Sequence, residues 1–353
     1  MDDLDLNLSD LKSIFSLLLG RPVASVEPIG GGRNSRVYKL VGEDSGRFAA
    51  KLYFRHPLDE RDRLGVEFSS LQFLREHGIQ SIPRPILADQ DRGCGIYEYI
   101  QGVGIRSSEV TDRDIDVCVE FLAKLNDLKS AQGSLDIPPA SASCFSVKEI
   151  VDSVERRLKR LADTEADTCA AGEGLHPFLK TQFQPALQKI RAWCEKSHAP
   201  DVFFDRVIGM EERTLSPSDF GFHNVLRRPD GQLAFLDFEY FGWDDPAKMI
   251  SDFLLHPGMD IPEYLKRRFV SGLFDSFAGM RHIAKRVEIV YPAVGLLWCM
   301  ILLNEFVPEH LQRRAHARPG DVDRNRLQAE QLAKAGQMLQ KIMRDYENFP
   351  YRA

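Results

Sequence analysis

Three oxygen-bearing side chains, Asp219, Asn224 and Asp237, fall within one stretch, TLSPSDFGFHNVLRRPDGQLAFLDFEYFGWDDP, from Thr214 to Pro246. Two strand-like runs, Phe222–Leu226 and Leu233–Phe238, flank Arg228-Pro229-Asp230-Gly231. That is a turn sequence in which Pro presets φ and Gly tolerates the strained last position. A hairpin closed there sets Asn224 opposite a residue near Phe235–Asp237, and directly paired strand residues lie about 4.5–5.5 Å apart. Asn224 and Asp237 are therefore expected at the same open end of the hairpin, with Asp219 in the loop that feeds it. Oxygens placed in this way can share a hard cation such as Mg²⁺. The same residues also fit an acidic surface hairpin with a solvated Asp and an Asn in a turn.

Elements upstream must position a partner for this group. Lys51 sits inside an apolar strand-like run, Phe48–Tyr53. The following helix is expected over residues 59–77, with Leu64, Leu71 and Leu74 as its inner stripe and Phe68 beside them. Glu67 falls on that same face, and a carboxylate on a buried face needs a cation or a proton. Lys51 is the candidate; an exposed lysine on an edge strand is the alternative. Before this strand, Gly30-Gly31-Gly32 separates two strand-like runs, with Asn34 and Ser35 just beyond. Such a triplet lets backbone N–H groups approach phosphate oxygens closely, although many glycine triplets are plain turns. It is not a Walker A loop, because no G-K-[ST] follows.

These elements together resemble the aminoglycoside phosphotransferase and choline kinase families, small-molecule kinases with a protein-kinase-like fold. The family pattern is D-x-x-x-x-N, a hairpin, D-F-x or D-x-x, and often G-x-x-D-P. Here it reads Asp219-Phe-Gly-Phe-His-Asn224, then Asp237-Phe238-Glu239, then Gly242-Trp243-Asp244-Asp245-Pro246. The resemblance implies that Asp219 is the catalytic base for an acceptor hydroxyl and that Asn224 and Asp237 hold Mg²⁺ on the nucleotide phosphates. It implies that Gly30, Gly31, Gly32, Asn34 and Ser35 belong to the nucleotide-covering loop. A Lys51–Glu67 pair would then aim the ammonium at the α- and β-phosphates. Tyr97-Glu98-Tyr99-Ile100 resembles the family hinge, where backbone groups of Glu98, Tyr99 and Ile100 would bond adenine. Pro217 stands where the family has a histidine that braces the catalytic loop. That removes the bracing imidazole and leaves the carboxylate and the metal ligands in place.

At 353 residues the chain exceeds the ~250–300 at which a single core usually stops growing, so two lobes are expected. A net charge of -6 does not suggest a nucleic-acid partner. Six scattered cysteines without a C-x-x-C pair fit buried residues of a reducing compartment. The acidic N-terminus is wrong for a signal peptide, and the apolar run Val294–Leu303 is about half the ~20 residues of a membrane span, so a cytoplasmic protein with no membrane partner is expected. Helices are expected over residues 4–19, from Thr111, from Ser146 to about 162, over 176–197 with a bend at Pro185, from Pro246, and over 262–277, 280–290, 293–306 and 322–346. The expected architecture is a bilobal kinase-like α+β fold, with a β-rich nucleotide lobe at 1–101 and a helical lobe at 102–353 that carries the catalytic hairpin. The expected activity is transfer of a phosphoryl group from ATP (or GTP) with Mg²⁺ to a hydroxyl of a small molecule. A nucleotide-binding pseudokinase and a nucleotidyl transferase on the same fold are the alternatives. A protein kinase is disfavoured by the lack of an A-P-E-like segment.

Overall fold

A computed structural model describes residues 7–31, 35–55, 61–164, 170–196, 203–277, 279–280, 282–308 and 323–352. In chain order the first elements are α1 (Leu8–Leu19), β1 (Val23–Gly31), β2 (Ser35–Gly42), β3 (Arg47–Tyr53), α2 (Arg63–Glu76), β4 (Pro85–Asp89), β5 (Cys94–Glu98) and β6 (Val103–Gly104). There follow α3 (Asp112–Asp127), α4 (Val147–Ala162), α5 (Ala170–Phe178), α6 (Gln184–Lys196), β7 (Thr214–Ser216), β8 (Val225–Arg227), β9 (Leu233–Phe235) and β10 (Gly242–Asp244). The chain ends in α7 (Pro246–Leu255), α8 (Glu263–Ser276), α9 (Ile283–Leu302) and α10 (Arg324–Asp345).

Among the described residues, those up to Gly104 and those from Val225 to Tyr240 form one compact unit. Its main sheet is antiparallel, in the order β1-β2-β3-β5-β4. Asn7 starts α1 by accepting the Ser9 and Asp10 N–H groups, and Gly20 ends it at φ 62°, a left-handed value glycine adopts without strain. The helix buries Leu11 and Phe15 against Val23, Leu40, Phe48, Ala50 and Ile96 of the sheet. α2 starts at Asp62, which caps the Gly65 N–H, and buries Leu64, Glu67, Leu71 and Leu74 on one face. The hairpin β8–β9 pairs Val225 with Phe235 and Arg227 with Leu233, and β6 adds Val103 opposite Arg227. The three strands form a small sheet of their own, in the order β6-β8-β9, within this unit. The hairpin strands are shorter than expected, because Phe222–Asn224 forms a 3₁₀ turn.

The second unit comprises the described residues of Ile105–Asn224, Phe241–Leu311 and Asp321–Ala353. It is built on α9, a single helix through Pro292 where two helices, over 280–290 and 293–306, are expected from the sequence. The helix runs through that proline; most of it is buried, with Ala284 and Lys285 exposed. The stretch Ile283–Phe306 is long and apolar enough to cross a membrane, but 78% of its most apolar window lies inside the protein, as in a core helix. In residues 170–196 the irregularity falls at a π-turn over Leu179–Phe183 rather than at Pro185 itself. Pro185 has no backbone N–H to bond back along the helix, and the turn before it widens. The described cysteines, 94, 118, 144, 194 and 299, are all buried free thiols.

β10 and β7, neither expected from the sequence, pair Trp243 with Leu215. On its other side β10 meets residues 138–140: Ala140 N–H donates to Trp243 O (2.9 Å) and Trp243 N–H to Pro138 O (3.1 Å). A β-carbon at Gly242 would collide with Pro138 O and lie 2.6 Å from Ala140 N. Both obstacles are backbone and cannot swing aside. Gly242→Ala is therefore expected to destabilise the protein by about 1–3 kcal/mol, read from the urea midpoint. An unchanged midpoint would show that this backbone contact yields freely.

Candidate active site

In the sheet unit, Lys51 projects from β3 into a group of acids. Its Nζ lies 2.7 Å from Glu67 Oε2, 2.6 Å from Asp237 Oδ1 and 3.3 Å from Glu239 Oε2. Burial alone would lower the ammonium's pKa. The charges of Asp237, Glu67 and Glu239 outweigh it and hold Lys51 well above the usual lysine value. Glu67 is bonded through both oxygens. Oε2 also accepts the Tyr53 hydroxyl at 2.5 Å, and Oε1 accepts the Phe238 N–H at 3.2 Å. Tyr53 shares a further hydrogen bond with Tyr97 at 2.7 Å. One carboxylate on α2 thus ties β3 to the residue after Asp237. Asp237 itself has φ 65°, a left-handed conformation that a non-glycine residue adopts rarely and at functional sites. Arg63 reaches Glu239 at 3.8 Å. Three carboxylates therefore face two cations, and Glu67, Asp237 and Glu239 offer oxygens within 4.8 Å of one another. An all-oxygen donor set with excess negative charge fits a hard divalent cation such as Mg²⁺.

Glu239 was not singled out in the sequence; it lies past the end of β9, where no strand period places it. Gly30 and Gly31 are the last residues of β1, paired with Val37 and Arg36 rather than looped out. Gly32 and Asn34 lie outside the described residues. Ser35 opens β2 opposite Tyr53 and is buried, not at a loop tip. At the expected hinge, Glu98 ends β5. Its N–H donates to Arg84 O at 2.8 Å, so that donor is already engaged. Tyr99 and Ile100 follow the strand, with Ile100 buried.

In the helical unit, Asp219 lies in the tight turn after β7. Ser218 has φ 68°, its N–H donates to Ser216 Oγ (3.0 Å), and the Asp219 N–H donates to Pro217 O (2.9 Å). Asn224 Nδ2 donates to Asp219 O at 3.0 Å, closing the loop from the other end. Phe222 N–H donates to Met259 Sδ at 3.1 Å. The loop is thus tied without an imidazole at position 217. Two histidines that sequence reasoning passed over flank the carboxylate: His223 Nε2 is 3.2 Å and His256 Nε2 3.5 Å from Asp219 Oδ1. His223 lies inside the D-x-x-x-x-N run and was legible there. His256 arrives from the end of α7 and carries no local signal.

Below the loop, α7 is anchored by charge. Asp245 caps it through the Ala247 N–H, and Arg286 Nε grips its Oδ2 at 2.9 Å. Lys248 reaches Asp252 at 2.7 Å and Asp244 at 3.4 Å, and all three are buried or nearly so. Burial pushes the Asp244 carboxyl up to about 6 against the pull of Lys248. Asp252 is raised as well, with burial outweighing Lys248 and the Trp298 indole.

A carboxyl whose pKa is raised by folding holds its proton more tightly in the folded state. Stability from Asp244 is therefore greatest below its ordinary value of 3.8 and falls as pH rises toward 6. Lys248→Met would leave two buried carboxylates without their cation. It is expected to cost about 3–5 kcal/mol at pH 8, and clearly less at pH 5, where Asp244 can take a proton. Urea unfolding at both pH values measures this. An equal loss at both would show that the ammonium is not what holds these carboxylates.

Several solved structures share this fold across almost their whole length. A spectinomycin phosphotransferase in complex with ADP and spectinomycin matches at TM-score 0.66 and 13% identity, over 97% of this chain and 99% of that one. A choline kinase from Streptococcus pneumoniae matches at 0.59 and 16%, over 94% and 98%. An ADP-bound aminoglycoside phosphotransferase matches at 0.59 and 15%, over 94% and 97%. At such identities the likeness establishes the fold, which is protein-kinase-like, with an antiparallel-sheet unit and a helical remainder. Among curated proteins, no sequence matches this chain significantly. The sequence profile of the phosphotransferase enzyme family, in contrast, matches residues 25–283, well over half of the chain. On that match, the chain belongs to the phosphotransferase enzyme family.

Proposed function

We propose that this phosphotransferase moves a phosphoryl group from ATP (or GTP) to a hydroxyl of a small molecule, by in-line displacement with Mg²⁺. The observation that carries the reading is the Lys51 ammonium, held between Glu67 of α2 and Asp237 at 2.7 and 2.6 Å. A lysine on that strand, paired with a helix glutamate, is the device by which kinase-like sites steady nucleotide phosphates. Its raised pKa keeps it charged at any working pH. Asp237 and the Asn224 side-chain oxygen would hold Mg²⁺, with Glu239 adding to the negative charge there. The bound ion supplies charge neutralisation on the phosphoryl oxygens. The backbone at the end of β1, Gly30–Gly31, would cover the phosphates and the backbone at Tyr99–Ile100 would meet the base.

Asp219 takes the proton of the acceptor hydroxyl as the acceptor oxygen bonds to phosphorus and the bond to the leaving nucleoside diphosphate breaks. Most of the rate then comes from positioning and electrostatics rather than from a covalent intermediate. Aminoglycosides, amino alcohols and sugars are the acceptor classes to try first. Spectinomycin, in a complex with ADP, and choline kinases occur among the structural neighbours. The buried free thiols support a cytoplasmic site of action.

The test is Mg²⁺-dependent ATP or GTP consumption against a panel of hydroxyl compounds, with the product weighed by mass spectrometry. One acceptor is expected to gain one phosphoryl group. Asp219→Asn is expected to lower kcat by about 10²–10⁴-fold, the usual range for a general base, with little change in the nucleotide KM. A product carrying a nucleotidyl group, or an Asp219→Asn enzyme at wild-type rate, would sink the proposal.

A further inference from the structure

The turn after α7, His256-Pro257-Gly258-Met259, packs on the loop that carries Asp219. Met259 N–H donates to His256 O at 3.0 Å and closes the turn, while Met259 Sδ receives the Phe222 N–H. The His256 ring stacks on His223 with centroids 4.1 Å apart and planes 6° apart. Trp298 stands edge-on to it at 4.8 Å and 84°. The indole is itself fixed, because Nε1 donates to Asp252 Oδ1 at 3.0 Å. The imidazole plane is therefore set by packing on two sides.

The partner of Nδ1 decides what Nε2 can do. Gly258 N–H donates to His256 Nδ1 at 3.0 Å. A backbone donor requires a lone pair, so Nδ1 carries no proton and the ring proton sits on Nε2. Nε2 is the nitrogen that faces Asp219 Oδ1 at 3.5 Å. The ring also lies close to this residue: a β-carbon at Gly258 would be 3.0 Å from His256 Cε1 and 3.1 Å from Nδ1. The same lock argues against a metal between Asp219, His223 and His256. Ligation through Nε2 would remove its proton while Nδ1 is still accepting, and parallel rings aim their nitrogens side by side rather than at one point.

We infer that His256 is a positioning residue for Asp219, held by the Gly258 N–H in the tautomer that presents Nε2–H to the carboxylate. A carboxylate turns easily about its last side-chain bond. A fixed donor on one oxygen sets its plane, and with it the direction in which it meets an acceptor hydroxyl. Pro217 offers no imidazole on the preceding side of the loop; His223 approaches the same Oδ1 at 3.2 Å from within the loop, and His256 adds a second imidazole from a turn distant in sequence. The role rests on the reading of Asp219 as the proton acceptor, but the tautomer and its contact do not.

Two measurements on the full chain test this. In ¹⁵N-histidine NMR, with the ring assigned from His256→Phe, Nδ1 is expected unprotonated and Nε2 protonated, and the Nε2 signal is expected to shift in Asp219→Asn. A proton on Nδ1, or an Nε2 signal indifferent to Asp219→Asn, overturns the contact without reference to turnover. In kinetics, with the acceptor that wild type phosphorylates in the panel, His256→Phe keeps the ring stack but has no donor. It is expected to lower kcat about 10²-fold, the scale of a misplaced reacting group, with ATP KM and unfolding midpoint unchanged. His256→Gln, which restores an N–H, should recover part of the rate. A His256→Phe kcat equal to wild type overturns the positioning role. A wild type that phosphorylates nothing would strike the reading of Asp219 itself, a failure the NMR result separates from that of the contact.

Discussion

A lysine ammonium and a glutamate buried together are stable only if neither is left with an unused bonding direction, because removing charge from water costs several kcal/mol per ion before any pairing. Lys51 and Glu67 meet that condition through their neighbours. Glu67 takes the ammonium and the Tyr53 hydroxyl on one oxygen and the Phe238 N–H on the other. Lys51 takes Glu67, Asp237 and Glu239. The pair thereby joins a strand, a helix and the segment beyond the β8–β9 hairpin. A shift of one residue along β3 would turn Lys51 to the opposite face and take it out of this group.

The loop of Asp219 is governed by a different constraint. Its backbone makes two sharp departures, at Ser218 and around the 3₁₀ turn Phe222–Asn224, and each is held by a side chain or by the neighbouring turn. Ser216 Oγ, the Asn224 amide, Met259 Sδ and the two imidazoles each engage one group of the loop. Left-handed backbone at a non-glycine residue persists only where the surroundings over-determine it. Lys248 and Asp252 of α7 are buried with Asp244 of β10, so the charges that anchor the helix also fix Trp298 and, through it, the His256 ring.

Much of this could be read from local pattern. Glu67 sits between Leu64 and Leu71 on a helical stripe, which marked it as buried and in need of a cation. The Pro-Asp-Gly turn announced the hairpin, and Gly20, Thr111 and Ser146 announced helix ends through their capping chemistry. What failed was whatever depended on a partner remote in sequence. β7 and β10 are three residues each, too short for any periodicity, and exist because they pair with one another. Two helices are expected around Pro292, yet α9 continues through it, with Tyr291, Pro292 and Ala293 all buried. Ser35 reads as a loop residue beside glycines but is pinned opposite Tyr53 by strand pairing.

The amino-acid sequence by itself therefore determined the kinase-like order of elements, the identity of Lys51, Glu67, Asp219, Asn224 and Asp237 as candidates, and the apolar faces that bury α1, α2 and α9. These follow from spacing and side-chain chemistry, which are properties of short stretches. Tertiary structure alone decided that Glu239 joins the acids around Lys51, that β6 joins β8 and β9 in a small sheet of their own, and that His256 comes to Asp219. Each of these depends on a distance between residues far apart in the chain. Such distances are set by how faces pack and charges pair, and no local pattern encodes them.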